Sequence, residues 1–112
     1  MAKKTDSVIQ QWLAAGAFTF SGGVLSHERH GSINVHEVTD SSGCRRRRVA
    51  LRSLGGFSPG EKTYDGQRVV ALARLLCWQH HGAPPTPGWV ADHVDRNSLN
   101  DEPSNIRWMD PV

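Results

Sequence analysis

The apolar positions along this chain predict a short helix, a run of short strands and then a second helix. Asp6 or Ser7 can cap the first helix. Val8, Ile9, Trp12 and Leu13 fall on one of its faces, and Gly16 suits its end. Phe18-Thr19-Phe20 reads as a strand entering a turn at Ser21-Gly22-Gly23. From Val24 to Val38 the pattern supports short strands only, with Ile33 and Val35 alternating before the register breaks at His36. Asp40-Ser41-Ser42-Gly43 is a loop, after which Val49 and Leu51 alternate with Arg48, Ala50 and Arg52. That alternation predicts a half-buried strand with a basic outer face.

Gly55 to Gly60 is a further loop, and Tyr64-Asp65-Gly66-Gln67 is a hairpin-turn signal, because Asp-Gly tolerates positive φ. The spacing becomes helical from Val69 to His81. Val69, Leu72, Ala73, Leu76 and Cys77 share a stripe there, and Gly82, Pro84 and Pro85 end it. The expected fold is α+β, a small mixed domain of short strands and two helices, without an internal repeat.

At 112 residues the chain suits one compact domain. A chain of this size buries only about 65% of its unfolded surface, so the four Trp and three Phe matter to the core. The formal net charge of +2 does not announce a nucleic-acid binder, but its distribution is uneven. Arg45, Arg46, Arg47 and Arg48 form a dense run with Arg52 close behind, while Asp92, Asp95, Asp101 and Glu102 crowd the other end. Two cysteines, Cys44 and Cys77, are too few for a disulfide framework or a four-thiolate zinc site, and free thiols are expected. The first residues carry no apolar secretion signal, and nothing approaches a membrane span. The expected setting is the cytoplasm, with no membrane partner.

The chemistry concentrates between Asp92 and Trp108. An Asp92-His93 pair leads into an asparagine-studded loop with Asn97 and Asn100, which closes on Asn105-Ile106-Arg107-Trp108. Upstream, Ala73-Arg74-Leu75-Leu76-Cys77-Trp78-Gln79-His80-His81-Gly82 precedes a proline-rich loop that runs into Trp89-Val90. This order of parts resembles the phage and homing-type HNH endonucleases over roughly residues 64 to 109. Residues 1–63 match only in general character and are expected to hold the N-terminal helix, short strands and basic segment, with 64–112 as the HNH-like region. The resemblance implies a partial ββα-metal motif. In that family the final ligand sits on a helix about nine residues beyond the position of Asn105. Here Val112 is the last residue and Pro111 discourages a helix; Ala73 also stands where relatives often carry histidine.

What the resemblance implies can be stated residue by residue. Asp92 would be a carboxylate ligand for Mg²⁺ or another divalent metal, which prefers oxygen donors. His93 would take a proton from the attacking water. Asn105 would brace the loop and orient the histidine, with Asn97 and Asn100 supporting the loop backbone. Apart from that resemblance, the residues themselves suggest that Arg45, Arg46, Arg47, Arg48 and Arg52 form a strip for nucleic-acid phosphates or an acidic partner surface, of which only alternate members share a face. The blander account of such a run is a solvated charged loop. For His80 and His81 the plain account is a favourable contact with the negative helix end. The Trp residues are expected in the core, Trp89 lying in a Pro-Gly loop.

The implied function is DNA binding with metal-dependent nicking, in a bacterial host if the chain is phage-encoded. The alternative is an inactive HNH-derived module that binds and inhibits a host nucleic-acid enzyme or defence complex. A subunit whose site is completed by another chain is the third reading.

Overall fold

The computed structural model describes residues 4–52, 67–86 and 88–110, and these form an α+β fold of two α-helices and eight short strands. Helix α1 (Lys4–Ala15) places Val8, Ile9 and Trp12 in the core, with Leu13 packed at its margin. Lys4 and Thr5 are already helical, so Asp6 lies inside the helix rather than at a cap. Its carboxylate is instead taken up by Arg74, as described below. The end falls where expected, with the Gly16 amide donating to the Trp12 carbonyl at 3.1 Å.

Strands β1 (Phe18–Ser21), β2 (Val24–His27) and β3 (Gly31–Ile33) make an antiparallel sheet in that order. The β1–β2 turn needs positive φ at both central positions, and Gly22 (59°) and Gly23 (81°) supply it without a Cβ clash. A second sheet orders β4 (His36–Thr39), β5 (Arg45–Arg52) and β6 (Gln67–Ala71), all antiparallel. The third is the pair β7 (Val90–His93) and β8 (Ile106–Met109), joined by the asparagine-rich loop and a 3-10 turn over Pro103–Asn105.

Helix α2 (Leu72–His81) starts later than its apolar spacing predicts. Val69 belongs to β6, opposite Ala50, and stands 59% exposed. β-Branched Val69 and Val70 favour the pleated strand, which explains why a helical stripe counted from Val69 overreaches. The helix ends as expected, with Gly82 at φ 77° and its amide on the Trp78 carbonyl at 3.1 Å. The Asp65-Gly66 turn and the Gly55–Gly60 loop lie outside the described residues.

The core joins these parts. Ile9, Leu25, Val49, Leu51, Leu72, Leu75, Cys77 and Ile106 are all buried in one cluster. Gln79 on α2 holds the start of β1 as a strand partner would: its Oε1 accepts from the Phe18 amide at 2.6 Å and its Nε2 donates to the Phe18 carbonyl at 2.8 Å. Cys44 and Cys77 are both free, and burial pushes the Cys77 thiol up to about 11. His27, which no sequence spacing singled out, is a core residue. Its Nε2 donates to the Trp12 carbonyl at 2.9 Å, while Nδ1 accepts from the amides of Arg29 and His30 at 3.2 and 3.3 Å. Among the described residues no helix is long and apolar enough to cross a membrane.

The charged clamp under the finger is Arg74. Its Nε and Nη2 donate to the two Asp6 carboxylate oxygens at 2.6 and 2.7 Å, and Nη1 donates to the Trp89 carbonyl at 2.7 Å. The guanidinium also lies over the Trp108 ring at 4.9 Å. One side chain thus ties α1 and α2 to both strands' surroundings. Trp108 adds a donor bond to the Gly82 carbonyl at 2.9 Å and an edge contact with Trp78. These contacts fix the β7–β8 finger on the body.

Candidate functional site

The β7–β8 pairing sets Asp92 opposite Arg107 and His93 opposite Ile106. Strand alternation therefore sends the two side chains to opposite faces. Outward, Asp92 Oδ2 accepts from Arg107 Nε at 3.0 Å. Inward, His93 turns toward the buried Ile106 side, and its Nε2 meets Asp101 Oδ1 at 2.7 Å. The His93 side chain remains 15% exposed, whereas that of Asp101 is 1% exposed.

The loop between the strands is built on its own side chains. Asp95 accepts from the Asn97 amide at 2.8 Å, from Asn100 Nδ2 at 2.9 Å and from Asn105 Nδ2 at 3.0 Å. These bonds hold its carboxyl below the usual value of 3.8, the Asn100 side chain contributing most. Asn97 Oδ1 caps the Leu99 amide at 3.1 Å. Asn105 also donates to the Asn100 carbonyl at 2.8 Å and accepts from the Asp95 amide at 3.1 Å, and its own carbonyl receives the Val94 amide at 2.7 Å. Asn105 thus braces the loop, while the side chain bonded to the histidine ring is that of Asp101.

The basic run divides by strand parity. Arg45 and Arg47 share the face of Val49 and Leu51, and Arg46 and Arg48 share the other. Arg47 points in: Nη1 donates to the Leu99 carbonyl at 2.6 Å and lies 3.4 Å from Asp101 Oδ2, with the guanidinium over Phe20. Arg45 pairs with Glu37 at 3.5 Å and Arg46 with Asp40 at 3.4 Å, both well exposed. Arg48 is exposed and stands opposite His36 on the neighbouring strand. The backbone of Arg52 ends β5, and its side chain lies outside the described set. Ser98 donates to the Arg45 carbonyl and lies 3.4 Å from Cys44 Sγ, so the loop is stitched to the start of β5.

This docking leaves an open cleft of about 220 Å³ bounded by Cys44, Arg46, Ala91, Asp92, His93, Arg96 and Ser98. A more enclosed space of similar volume adjoins it, lined in part by Arg46, Arg47, Arg74, His93 and Asp101. The larger hollow of about 460 Å³ lies at the end of α1, lined mainly by small apolar residues and Glu28, and holds none of the implicated groups. Asp92, His93 and Arg46 all border this cleft, but Asp92 and His93 leave β7 on opposite faces, the one engaged by Arg107 and the other by Asp101. Arg48 stands outside the cleft lining, and Asn97, Asn100 and Asn105 frame it through the loop.

No family model and no curated protein matches the chain. It is similar to a solved structure described as DNA binding and cleavage by the HNH homing endonuclease I-HmuI, at 22% identity and a TM-score of 0.48. The match takes in 84% of this chain and 47% of that one, so this chain spans about half of that protein's length.

Sequence reasoning missed two participants. Arg96 lines the cleft from a left-handed backbone conformation, φ 65°, that a non-glycine residue adopts at a cost of about 1–2 kcal/mol. Nothing in its neighbours signals that. Asp101 was visible only as one acid among several, and its spacing from His93 follows no simple period. Arg47 could have been placed correctly from parity alone, since it is two residues before Val49.

Proposed function

We propose that the chain is an HNH-like DNA-binding protein that nicks a phosphodiester in the cleft beside β7. The observation that carries this reading is the meeting of His93 with Arg46 and Arg96 around one open space. A phosphate there would lie beside Arg96 and Arg46, the latter now paired with Asp40, and guanidinium groups hold charged oxygens through forked N–H donors. His93 stands at the same wall and can accept the proton of a water attacking phosphorus. The Asp92-His93, Asn97, Asn100, Asn105 order supports the reading further, laid as it is on a two-stranded finger.

Mg²⁺ takes several oxygen donors in fixed geometry. Asp92 is the one carboxylate among the residues lining the cleft, and Arg107 already engages it, while the Ser98 hydroxyl is spent on the Arg45 carbonyl. Among the described residues no group of three His, Cys, Asp or Glu side chains could hold a metal ion. That donor set does not by itself fit a divalent cation. The same observation favours a second reading, a module that binds DNA without cutting it.

Supercoiled plasmid separates the two. The purified chain is incubated with Mg²⁺, with Mn²⁺ or with chelator, beside His93→Ala. Nicking that His93→Ala reduces by about 10²-fold or more supports the enzyme. Absence of nicking, with salt-sensitive DNA binding kept in the variant, replaces it with the passive binder. Absence of both overturns DNA as the partner and leaves a host protein complex as the next one to test.

A further inference from the structure

Asp101 is a carboxylate with a 1% exposed side chain in an irregular loop. A buried carboxylate is costly unless paired, and each of its oxygens has one partner. Oδ1 meets His93 Nε2 at 2.7 Å, and Oδ2 lies 3.4 Å from Arg47 Nη1. Arg47 is in turn fixed by the Leu99 carbonyl at 2.6 Å and by its place over Phe20. The carboxylate is therefore held from the β5 side, independently of the ring it faces. We infer that Asp101 is the positioning residue for His93: it fixes the ring's orientation and its tautomer, keeping the proton on Nε2 and the lone pair on Nδ1.

The argument rests on donor and acceptor identity. An ionised carboxylate only accepts, so the ring nitrogen beside it must carry the hydrogen. In the neutral imidazole the other nitrogen is then the acceptor, and which nitrogen is free decides what the ring can do. Asn105, expected from the family pattern to orient the histidine, has committed its amide elsewhere. Its Nδ2 serves Asp95 and the Asn100 carbonyl, and its Oδ1 receives the Asp95 amide. A carboxylate behind a proton-accepting imidazole prevents the wrong tautomer from presenting an N–H where a lone pair is needed.

The consequence for turnover rests on the nuclease reading; the tautomer itself does not. The test therefore has two independent readouts. Nitrogen NMR on the full chain with ¹⁵N-histidine, at mildly alkaline pH, should show His93 protonated at Nε2 and bare at Nδ1. In Asp101→Asn, whose amide can present a donor to the ring, a substantial share of the Nδ1-protonated form should appear. A parent ring protonated at Nδ1, or tautomer populations unchanged in the variant, overturns the inference. Should Asp101→Asn fail to fold, the parent spectrum decides it: a ring protonated at Nε2 and bare at Nδ1 supports the inference, and one protonated at Nδ1 overturns it.

In the plasmid assay, Asp101→Asn should lower kcat by about 10²-fold with KM within about twofold. Unchanged kcat despite a shifted tautomer overturns the positioning role. A parent that never nicks sinks the nuclease reading while the NMR result still stands or falls by itself.

Discussion

Asp95 shows how one exposed carboxylate can organise a loop. It gathers the Asn97 amide and the side chains of Asn100 and Asn105, so three asparagines spend their polarity on each other's turn. Charged acceptors make the stronger hydrogen bonds, and protonation would convert that acceptor partly into a donor. Its carboxyl is held below 3.8 in the fold, so its contribution to loop order is present above that value. The contribution is lost as pH falls through the lowered value. Acid titration followed by amide NMR should therefore show the Asn97 backbone and the Asn100 and Asn105 side-chain signals moving together, below the usual carboxylate range. Asp95→Asn should abolish that step. Independent movement of the three signals, or none at all in strong acid, would mean that the carboxylate does not hold the loop.

At the level of elements, the clearest departure from expectation is the first turn of α1. Read alone, Asp6 before an apolar stripe is a helix cap, worth about 0.5–2 kcal/mol. Its partner is sixty-eight positions away, at Arg74, and local pattern cannot see that pairing. Removing one member of a buried ion pair strands the other and costs about 3–5 kcal/mol. Asp6→Ala should thus lower unfolding free energy by that larger amount, measured by urea denaturation, with the fluorescence of Trp108 changing because Arg74 stacks on it. A loss of about 1 kcal/mol would restore the cap account.

Elsewhere the local pattern was enough. Gly22-Gly23, Gly82 and the Val8, Ile9, Trp12 face announce their own backbone demands in neighbouring residues, so β1–β2, the end of α2 and the buried side of α1 were legible. Val69 was misplaced because an apolar residue before a helix fits the helical stripe as well as a strand. Only its pairing with Ala50 across β5 resolves it.

For the whole molecule, the question is what an excess of only two positive charges can do. The answer lies in how the sheet sorts its arginines. A run of four read as a strip becomes two faces, Arg45 and Arg47 on one and Arg46 and Arg48 on the other. Arg47 spends its charge holding Leu99 and Asp101, whereas Arg46, at the cleft edge beside Asp40, and Arg48, opposite His36, stay exposed on the other face. What was legible of the candidate site was that Asp92 and His93 stand next to each other and lead into the asparagine-rich loop. Its electrostatics were not, because parity acts only once β5 is paired.

Each phosphate neutralised on duplex DNA contributes about 0.9 to the slope of log affinity against log salt. Replacing Arg46 and Arg48 together with Gln should then reduce that slope by about two and leave the fold intact. Arg47→Gln should do the reverse, destabilising the chain by about 1.5–3 kcal/mol through the lost charged hydrogen bonds while the slope stays near that of the parent. Anisotropy of a labelled duplex across a salt series, paired with urea denaturation of each variant, measures both. A slope that Arg46→Gln/Arg48→Gln leaves untouched would remove the Arg46 and Arg48 face of β4–β5–β6 from the DNA contact, and with it the view that this sheet and the cleft act on one duplex.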